Sequence, residues 1–291
     1  GRHNAANHTV FQRQTPLPSV EELSGRVVVL SGLSGHIYYH WLYDVLPRLK
    51  VLYDSLQSEG RSLKDIDYFV VNSVEKSFQH ETLQRLGIPM DKVIESDRMP
   101  HIRAEQLIVP NFAGPLDWVP PSSMDFLRQA FLRNPRKRPK KVSDIVASFG
   151  KRIYINRQKA KYRQVFNETA VINLLSNFGF VSVAPETLSV MEQAELFSNA
   201  EAVVAPHGSG LANLVFCSPN TTVIEFFSPY YLRTDYWMIS QYLQLRHYYL
   251  LGESFPFHPL RQLMYPSGLT EDFSVDLSAL RSLLQQADLT T

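Results

Sequence analysis

The segment Pro206-His207-Gly208-Ser209-Gly210 places two glycines and a hydroxyl where a strand-like run gives way to a helix-like run. Residues 201–205 before it are largely apolar and rich in valine, and residues 211–216 after it are mostly apolar. Glycines at such a turn let an anion approach the backbone with no Cβ in its way. The free N–H groups of a helix N-terminus also suit a phosphate. The segment predicts a phosphate or diphosphate site, although a purely structural tight turn would have the same pattern.

Three side chains that can move a proton lie four residues apart, namely His36, His40 and Asp44. This spacing aligns them on one face of a helix. Pro47 cannot donate to the carbonyl of Tyr43, so the alignment depends on where the helix kinks or begins. His40 is either a general base or a buried structural histidine. Asp44 is the base itself, orients a histidine or caps the helix, and we rank both residues above His36.

Basic residues follow the predicted strand at 152–156 and could stabilise a departing diphosphate. Arg157 is the first of them, and Lys161 and Arg163 come shortly after it. A guanidinium fork matches phosphate oxygens bidentately, which makes Arg157 the main candidate. The alternative is a solvated basic loop. Arg48 is equally a ligand contact or a structural ion-pair partner.

Two further polar residues lie near the glycine segment. Glu225 comes at the end of the next predicted strand, at the same sheet edge, where its carboxylate could accept hydrogen bonds from ribose hydroxyls. The alternative is an ordinary strand-end charge or a salt bridge. His207 precedes the glycines and could contact a donor or phosphate, or stabilise the turn.

No metal site is predicted. The sequence contains no H-E-x-x-H motif and no cysteine pair. Asp65-Ile66-Asp67 has D-x-D spacing, but it lies at the start of a predicted strand rather than at the carboxyl end, where a metal diphosphate would bind. We interpret that spacing as a coincidence.

Short apolar strands alternate with amphipathic helices through most of the chain, which favours parallel βαβ units and an α/β fold. The predicted strands are 26–30, 66–71, 92–95, 106–109, 152–156, 180–183, 201–205, 222–227 and 247–251. The predicted helices are 41–56, 78–86, 122–133, 168–178, 190–199, 235–245 and 275–287, with Asn167 as an N-cap and Ser189 to Glu192 as a capping box.

The alternation is interrupted at Arg133–Lys141, a basic, proline-containing stretch that predicts a linker or exposed loop rather than a nucleic-acid patch. This interruption divides the chain into two lobes. We predict an extended arm at 1–25, an N-terminal lobe with the catalytic base at 26–140, a nucleotide-binding lobe at 141–268 and a C-terminal helix at 269–291.

Composition supports a globular protein with a full core. The chain has 291 residues, 44% of them hydrophobic, and a net charge of +1, which gives no global attraction to nucleic acid or membrane. No apolar run reaches the length of a transmembrane helix. The single cysteine, Cys217, excludes an internal disulfide and favours a reducing compartment. We expect a bacterial cytoplasmic enzyme near the membrane face, or a secretory-pathway lumen if a longer parent chain carries an anchor.

An ordered series of motifs resembles glycosyltransferase family 61, which includes plant xylosyl- and arabinosyltransferases, animal protein O-linked N-acetylglucosamine transferases and bacterial polysaccharide-biosynthesis proteins. The resemblance runs from about residue 30 to 228. The commoner form of the loop has Ala where Ser209 stands. The motifs are Gly35…His40-Trp41…Asp44…Leu46-Pro47-Arg48, Ile153-Tyr154-Ile155-Asn156-Arg157, Pro206-His207-Gly208-Ser209-Gly210-Leu211-Ala212-Asn213 and Val223-Ile224-Glu225-Phe226.

The resemblance implies a GT-B-like fold, with two Rossmann-like lobes that face a central cleft. It also implies inverting transfer without an obligatory metal, from a nucleotide-sugar donor to a hydroxyl of a glycan or protein acceptor. We expect a UDP-sugar as donor. A binding module without turnover and a nucleotide-sugar hydrolase or isomerase are the alternatives. The expected donor site comprises Arg157, Arg163, His207, Gly208, Ser209, Gly210, Leu211, Asn213 and Glu225.

Overall fold

The computed structural model describes residues 16–112, 114, 118–132, 149–255 and 257–290. Within these ranges the chain forms two parallel β-sheets with helices packed on them. The predicted α/β class with two Rossmann-like lobes is confirmed. The basic linker lies outside the described residues. No helix in the described part of the chain is both long and apolar enough to span a bilayer.

The N-terminal sheet has the strand order β3-β2-β1-β4, and all its strand pairs are parallel. Its first strand begins at Glu21, earlier than the predicted start at residue 26. The strand is longer because Glu21 already pairs with Ile102, ahead of a register shift between Leu23 and Arg26. The strands are β1 Glu21–Val29, β2 Tyr68–Val71, β3 Val93–Glu95 and β4 Ile102–Ile108; the helices are α1 Tyr38–His40, α2 Pro47–Ser58, α3 Ser77–Arg85 and α4 Pro121–Leu132, with 3-10 turns at Leu63–Asp65 and Met90–Lys92.

The C-terminal sheet has the strand order β6-β5-β7-β8-β9, again parallel. The central strands β7 and β8 are buried along their whole length, as their apolar runs predict. The strands are β5 Arg152–Ile155, β6 Val181–Val183, β7 Ala202–Pro206, β8 Thr222–Phe227 and β9 Arg246–Leu251; the helices are α5 Glu168–Ser176, α6 Val190–Ser198, α7 Asp235–Tyr242, α8 His258–Met264 and α9 Leu277–Gln286, with 3-10 helices at Pro185–Thr187, Ser209–Phe216 and Gly268–Thr270.

The two predicted helix caps and the D-x-D spacing can be compared with the structure. The capping box at Ser189 is present. Asn167 occupies the N-cap position of α5 as predicted, but its side chain makes no capping hydrogen bond. The Asn167 amide instead exchanges two hydrogen bonds with the backbone of Val275, at 2.8 and 2.9 Å, and holds the C-terminal segment on this lobe. The carboxylates of the D-x-D spacing serve local structure, because Asp65 closes a capping box and Asp67 accepts from the Arg26 N–H.

The two lobes share one hydrophobic core, which includes Leu46 and Phe69 from the first lobe and Val203 and Phe216 from the second. The fully buried side chain of Asn213 adds a polar joint at this boundary. Its Oδ1 accepts from the Tyr38 hydroxyl at 2.9 Å, while its Nδ2 donates to Gln193 at 2.7 Å and to the Gly210 carbonyl at 3.1 Å.

Three further contacts join the lobes. The Tyr43 hydroxyl donates to the carbonyl of Ala212 at 2.7 Å. The Glu81 carboxylate accepts from the first N–H groups of α6, those of Val190 and Met191, where a negative charge also complements the helix dipole. Arg128 donates to the carbonyls that end the 3-10 helix Ser209–Phe216. The lobes are therefore joined by specific buried and partly buried polar contacts as well as by apolar packing.

We expect Asn213→Ala to lower the free energy of unfolding by about 2–3 kcal/mol, because it leaves several buried polar groups without partners. Asn177→Ala is the matched control, since Asn177 is exposed and makes one local hydrogen bond; its cost should stay within about 0.5 kcal/mol. Urea denaturation measures both. Equal losses of unfolding free energy in the two variants would contradict a stabilising role for the Asn213 contacts.

Candidate active site

The carboxyl ends of β5 and β7 form the point at which strand order reverses in the C-terminal sheet. Ligands of open α/β sheets bind at such a switch point. Asn156 and Arg157 follow β5, and His207 and Gly208 follow β7, so the topology brings together the two segments that the sequence analysis singled out. The glycine segment continues as the 3-10 helix Ser209–Phe216.

The guanidinium of Arg157 packs directly on Gly208. A Cβ on Gly208 would lie 1.9 Å from Arg157 Nη1, so this close approach requires glycine. The backbone N–H of Arg157 donates to buried Glu168 at 3.0 Å, and Nη2 donates to the Tyr162 carbonyl at 2.8 Å. Arg157 Nε is buried and has no hydrogen-bond partner among the described residues. The Arg157 guanidinium is therefore fixed in position and still has an N–H group without a hydrogen-bond partner among the described residues.

A second arginine lies close to the first. Arg163 Nε donates to the carbonyl of His207 at 3.2 Å, and its guanidinium lies 5.2 Å from the ring centre of Tyr231. Burial lowers the pKa of Arg157 to about 10, and the nearby charge of Arg163 contributes to the shift. Both guanidinium groups remain charged at neutral pH. Two partly buried cations beside a glycine turn form a site for a multiply charged anion.

One cavity, of about 220 Å³, lies between the two lobes on one side of the glycine segment. The His40–Asp44 pair borders it from the N-terminal lobe, with His40 Nδ1 2.6 Å from Asp44 Oδ2. Because Nδ1 is engaged by the carboxylate, Nε2 is the imidazole nitrogen left for a ligand. The opposite wall comes from the C-terminal lobe and includes Arg163, His207, Gly208, Ser209, Arg233 and Tyr236.

A π-helical turn, Trp41–Val45, presents this pair. The N–H of Leu46 donates to the carbonyl of Trp41 at 3.0 Å, five residues back. Pro47 follows as the first residue of α2, where a missing N–H has no cost. The predicted kink near Pro47 is therefore a widened turn, and wide turns of this kind occur frequently at functional sites.

A second cavity, of about 330 Å³, lies on the other side of the glycine segment. Apolar side chains from both lobes form much of its wall, including Tyr38, Phe78 and Ile155. Polar groups are contributed by Asn156, Arg157, Lys159, Glu186 and Gln193. Ser209 borders both cavities, so the glycine segment forms a ridge between them.

Behind the ridge, Glu225 lies between two histidines. Its Oε1 is 2.5 Å from His207 Nδ1, and its Oε2 is 3.2 Å from His247 Nε2. The approach of His247 is not aligned for a hydrogen bond, so Oε2 has no hydrogen-bond partner among the described residues. Nδ1 of His247 is 2.7 Å from the Ser240 hydroxyl. Both carboxylate oxygens of Glu225 face imidazoles, and 1% of the side chain is exposed. Glu225 is therefore not available to a ribose, contrary to the predicted hydrogen bonds with ribose hydroxyls.

The candidate residues therefore fall into distinct groups. His40 and Asp44 border the first cavity, and Arg157 and Gly210 border the second. His36 and Lys161 are exposed and border neither cavity. Leu211 is a core side chain and Asn213 belongs to the joint, so neither side chain faces a cavity. Tyr231, Arg233 and Tyr236 also border the first cavity. They were not predicted as site residues, because the aromatic residues among them lie in a tyrosine-rich stretch whose pattern also fits core packing.

Arg48 has a structural position. It is 4% exposed and donates to the carbonyls of Leu30, Ser31 and Pro110. These carbonyls follow β1 and β4, so Arg48 ties together the two loops at the switch point of the N-terminal sheet. Within the described ranges, no group of three or more His, Cys, Asp or Glu residues is arranged to hold a metal ion.

Comparison of the sequence with models of protein families gives one match. The sequence model of the family described as Glycosyltransferase 61 matches residues 38–224, a range that contains the His40–Asp44 pair and the glycine segment. No curated protein matches the chain. Solved structures that match include E. coli heptosyltransferase WaaC with ADP, at 9% identity and a TM-score of 0.41, covering 91% of this chain and 98% of that one. The same enzyme with ADP-2-deoxy-2-fluoro heptose gives 9% identity, a TM-score of 0.40 and coverages of 91% and 99%.

We expect Gly208→Ala to weaken binding of inorganic pyrophosphate at least about tenfold, because the new Cβ displaces the Arg157 guanidinium and a charge-assisted contact is lost. Isothermal titration calorimetry measures the affinity. Gly60→Ala is the control: Gly60 has a φ of +68° and nothing within 4 Å of an added Cβ, so alanine there adds only backbone strain. Unchanged pyrophosphate affinity in Gly208→Ala would contradict this site.

Stability should also depend on His247. Burial lowers the pKa of His247 from 6.5 to about 4. Since the unfolded chain takes up the proton first, the free energy of unfolding falls as pH drops from about 6.5 towards 4, by about 2 kcal/mol at pH 5. Urea denaturation at pH 7.5 and pH 5 should show this loss in the wild type and a smaller one in His247→Gln. An equal loss in both proteins would contradict the assignment.

Proposed function

This chain belongs to glycosyltransferase family 61, and we propose that it transfers a sugar from a UDP-sugar to a hydroxyl of a glycan or protein with inversion at the anomeric carbon. The observation that carries the proposal is the arrangement in the first cavity. A carboxylate-oriented histidine on one lobe faces a cationic glycine turn on the other. Single-step transfer needs these two functions on opposite sides of the reacting carbon.

His40 is the general base. Asp44 engages Nδ1, which directs Nε2 towards the acceptor hydroxyl, and its charge stabilises the imidazolium that forms when Nε2 takes the proton. About a third of each side chain is exposed, so an acceptor can approach from solvent. Asp44 is a positioning residue in this scheme, and His36 has no part in it.

The leaving diphosphate binds at the ridge. Arg157 and Arg163 supply positive charge, and the N–H groups at the start of the 3-10 helix supply hydrogen bonds. Placed before the reaction begins, these donors stabilise charge as it develops on the departing oxygen. Because the chain itself supplies the compensating charge, we propose transfer without a metal ion, and the reaction should withstand EDTA.

The donor lies across the ridge. We place its nucleoside in the second cavity, whose apolar wall suits a base and whose Asn156, Glu186 and Gln193 offer hydrogen bonds. The sugar then extends into the first cavity, beside His40. This orientation is supported by Ser209, which borders both cavities, and by Arg157, which borders the second cavity and packs on Gly208. It gives the diphosphate the contacts nearest the glycines.

A thermal-shift panel of UDP, GDP, CDP and ADP tests the donor. UDP at 100 times its Kd should add about 2.7 kcal/mol, enough to raise Tm by several degrees. Arg157→Ala should abolish the shift, while Arg281→Ala, which removes an exposed arginine of α9, should retain it. If no nucleotide shifts Tm, the donor site is wrong.

Transfer itself is tested with a panel of UDP-sugars and acceptors, and the anomeric configuration of the product is determined by NMR. His40→Gln should keep the UDP shift but lower kcat by about 10²–10⁴-fold, as loss of a general base does. Donor hydrolysis that no acceptor suppresses would instead indicate a nucleotide-sugar hydrolase. Binding of UDP without any turnover would indicate a binding module.

A further inference from the structure

We propose that His207 and Glu225 share one proton and act as a single neutral unit that presents the Nε2–H of His207 to the leaving diphosphate. His207 is then a catalytic residue, and Glu225 and His247 are positioning residues behind it. This inference rests on the proposed function above, which supplies the diphosphate. It gives the buried carboxylate a role that neither a ribose contact nor a surface ion pair would explain.

The geometry sets the direction of the imidazole. Nδ1 of His207 lies 2.5 Å from Glu225 Oε1, and the pair is almost wholly buried, with 8% and 1% of the side chains exposed. His207 nevertheless borders the first cavity. Its ring is also held from the sides, because Phe227 stacks on it and Tyr236 packs against it. With Nδ1 turned inward to Glu225, Nε2 is the atom left to face a ligand.

The charge balance decides whether Nε2 carries a proton. If Glu225 is ionised and His207 is neutral, the buried pair has a net charge of −1, and Nε2 is only an acceptor. One further proton makes the pair neutral. Nε2 then carries hydrogen, whether the shared proton lies on Oε1 or on Nδ1. Burial in a low-dielectric interior favours the neutral pair.

Two observations support the neutral pair. Burial raises the pKa of Glu225, and the nearby carboxylate of Asp235 adds to this shift, while the hydrogen bond and charge of His207 oppose it. His247 provides no compensating charge, because burial lowers its pKa to about 4. The geometry places the neutralising proton between Glu225 and His207, because Nδ1 of His207 lies 2.5 Å from Oε1 whereas Oε2 makes no hydrogen bond to His247.

Other charged and titratable groups surround the pair on every side. Those on the C-terminal lobe are His247 from β9, Asp235 and Tyr236 from α7, Tyr231 from the loop after β8, and Arg157 and Arg163 from the loop after β5. His40 and Asp44 border the same cavity from the other lobe. The two arginines compensate the incoming diphosphate.

The transfer step balances with this assignment. The acceptor oxygen bonds to the anomeric carbon, and its proton passes to His40 Nε2. The bond from that carbon to the diphosphate oxygen breaks, and the electron pair leaves with the diphosphate. His207 keeps its proton and stabilises the departing oxygen by a hydrogen bond. Two histidines on opposite lobes thus need opposite protonation states, His40 without a proton on Nε2 and His207 with one.

The first test reads the proton directly and needs no turnover. Protein labelled with ¹⁵N-histidine gives imidazole correlation spectra in which the nine histidines are separated, and comparison with His207→Gln identifies His207. We expect the Nε2 shift of a protonated nitrogen at pH 7.5. The shift of an unprotonated Nε2 would overturn the proposal, even if the enzyme transfers sugar.

The second test is the pH dependence of kcat. The kcat of the wild type should fall towards alkaline pH, where the His207–Glu225 pair loses its shared proton. Glu225→Gln should lack this alkaline limb. Glu271→Gln, at a fully buried carboxylate paired with Arg261, should keep it even if its Tm falls.

The outcomes separate the two proposals. An alkaline limb in Glu225→Gln identical to that of the wild type would overturn the shared proton and leave the glycosyltransferase assignment intact. A wild type that binds no nucleotide and transfers no sugar would overturn the proposed function, and the ¹⁵N spectra would still report the state of the pair. His207→Ala should lower kcat by about 10²–10³-fold, as loss of a charge-stabilising donor does.

Discussion

The site depends on a fixed relation between two lobes, because the base and the phosphate-binding turn belong to different sheets. Asn213 maintains that relation. Its amide accepts from Tyr38 of the first lobe and donates to Gln193 and Gly210 of the second, with no exposure to solvent. Tyr38 lies two residues before His40 of the proton-transfer pair, and Gly210 belongs to the ridge. A buried amide with all these partners satisfied tolerates little relative displacement, so the distance across the cleft is set by the folded core.

The ridge has several functions because its residues are small. Gly208 admits the Arg157 guanidinium, and Gly210 packs where a Cβ would lie 2.9 Å from Ile155. Close approach in turn buries positive charge beside the backbone amides. Behind this layer lies a second one of opposite character, in which His207 and Glu225 share a proton and His247 packs behind them. The front layer attracts an anion, and the rear layer determines which groups donate to it.

Much of the fold was predictable from the sequence, because alternating apolar strands and amphipathic helices have few parallel arrangements. The glycine segment and Arg157 were also recognisable, since strand ends meet at one sheet edge. The role of Glu225 was not. Its position at a strand end is compatible with ribose binding, and only the pairing of β8 with β9 shows that His247 lies beside it. Likewise, the assignment of Asn213 to the donor site came from motif position, whereas its partner in the other lobe, Tyr38, lies 175 residues away in sequence.

The π-helical turn at Trp41–Val45 has an evolutionary consequence. Such a turn is an α-helix with one residue inserted, and deleting that residue restores the ordinary repeat. A deletion between His40 and Asp44 would also shorten their separation from four residues to three, so the contact between His40 Nδ1 and Asp44 Oδ2 would be lost or re-formed in another geometry. The sheets and the glycine ridge would remain. Loss of one codon in this turn would therefore disturb the proton-transfer pair without touching the donor pocket of the other lobe.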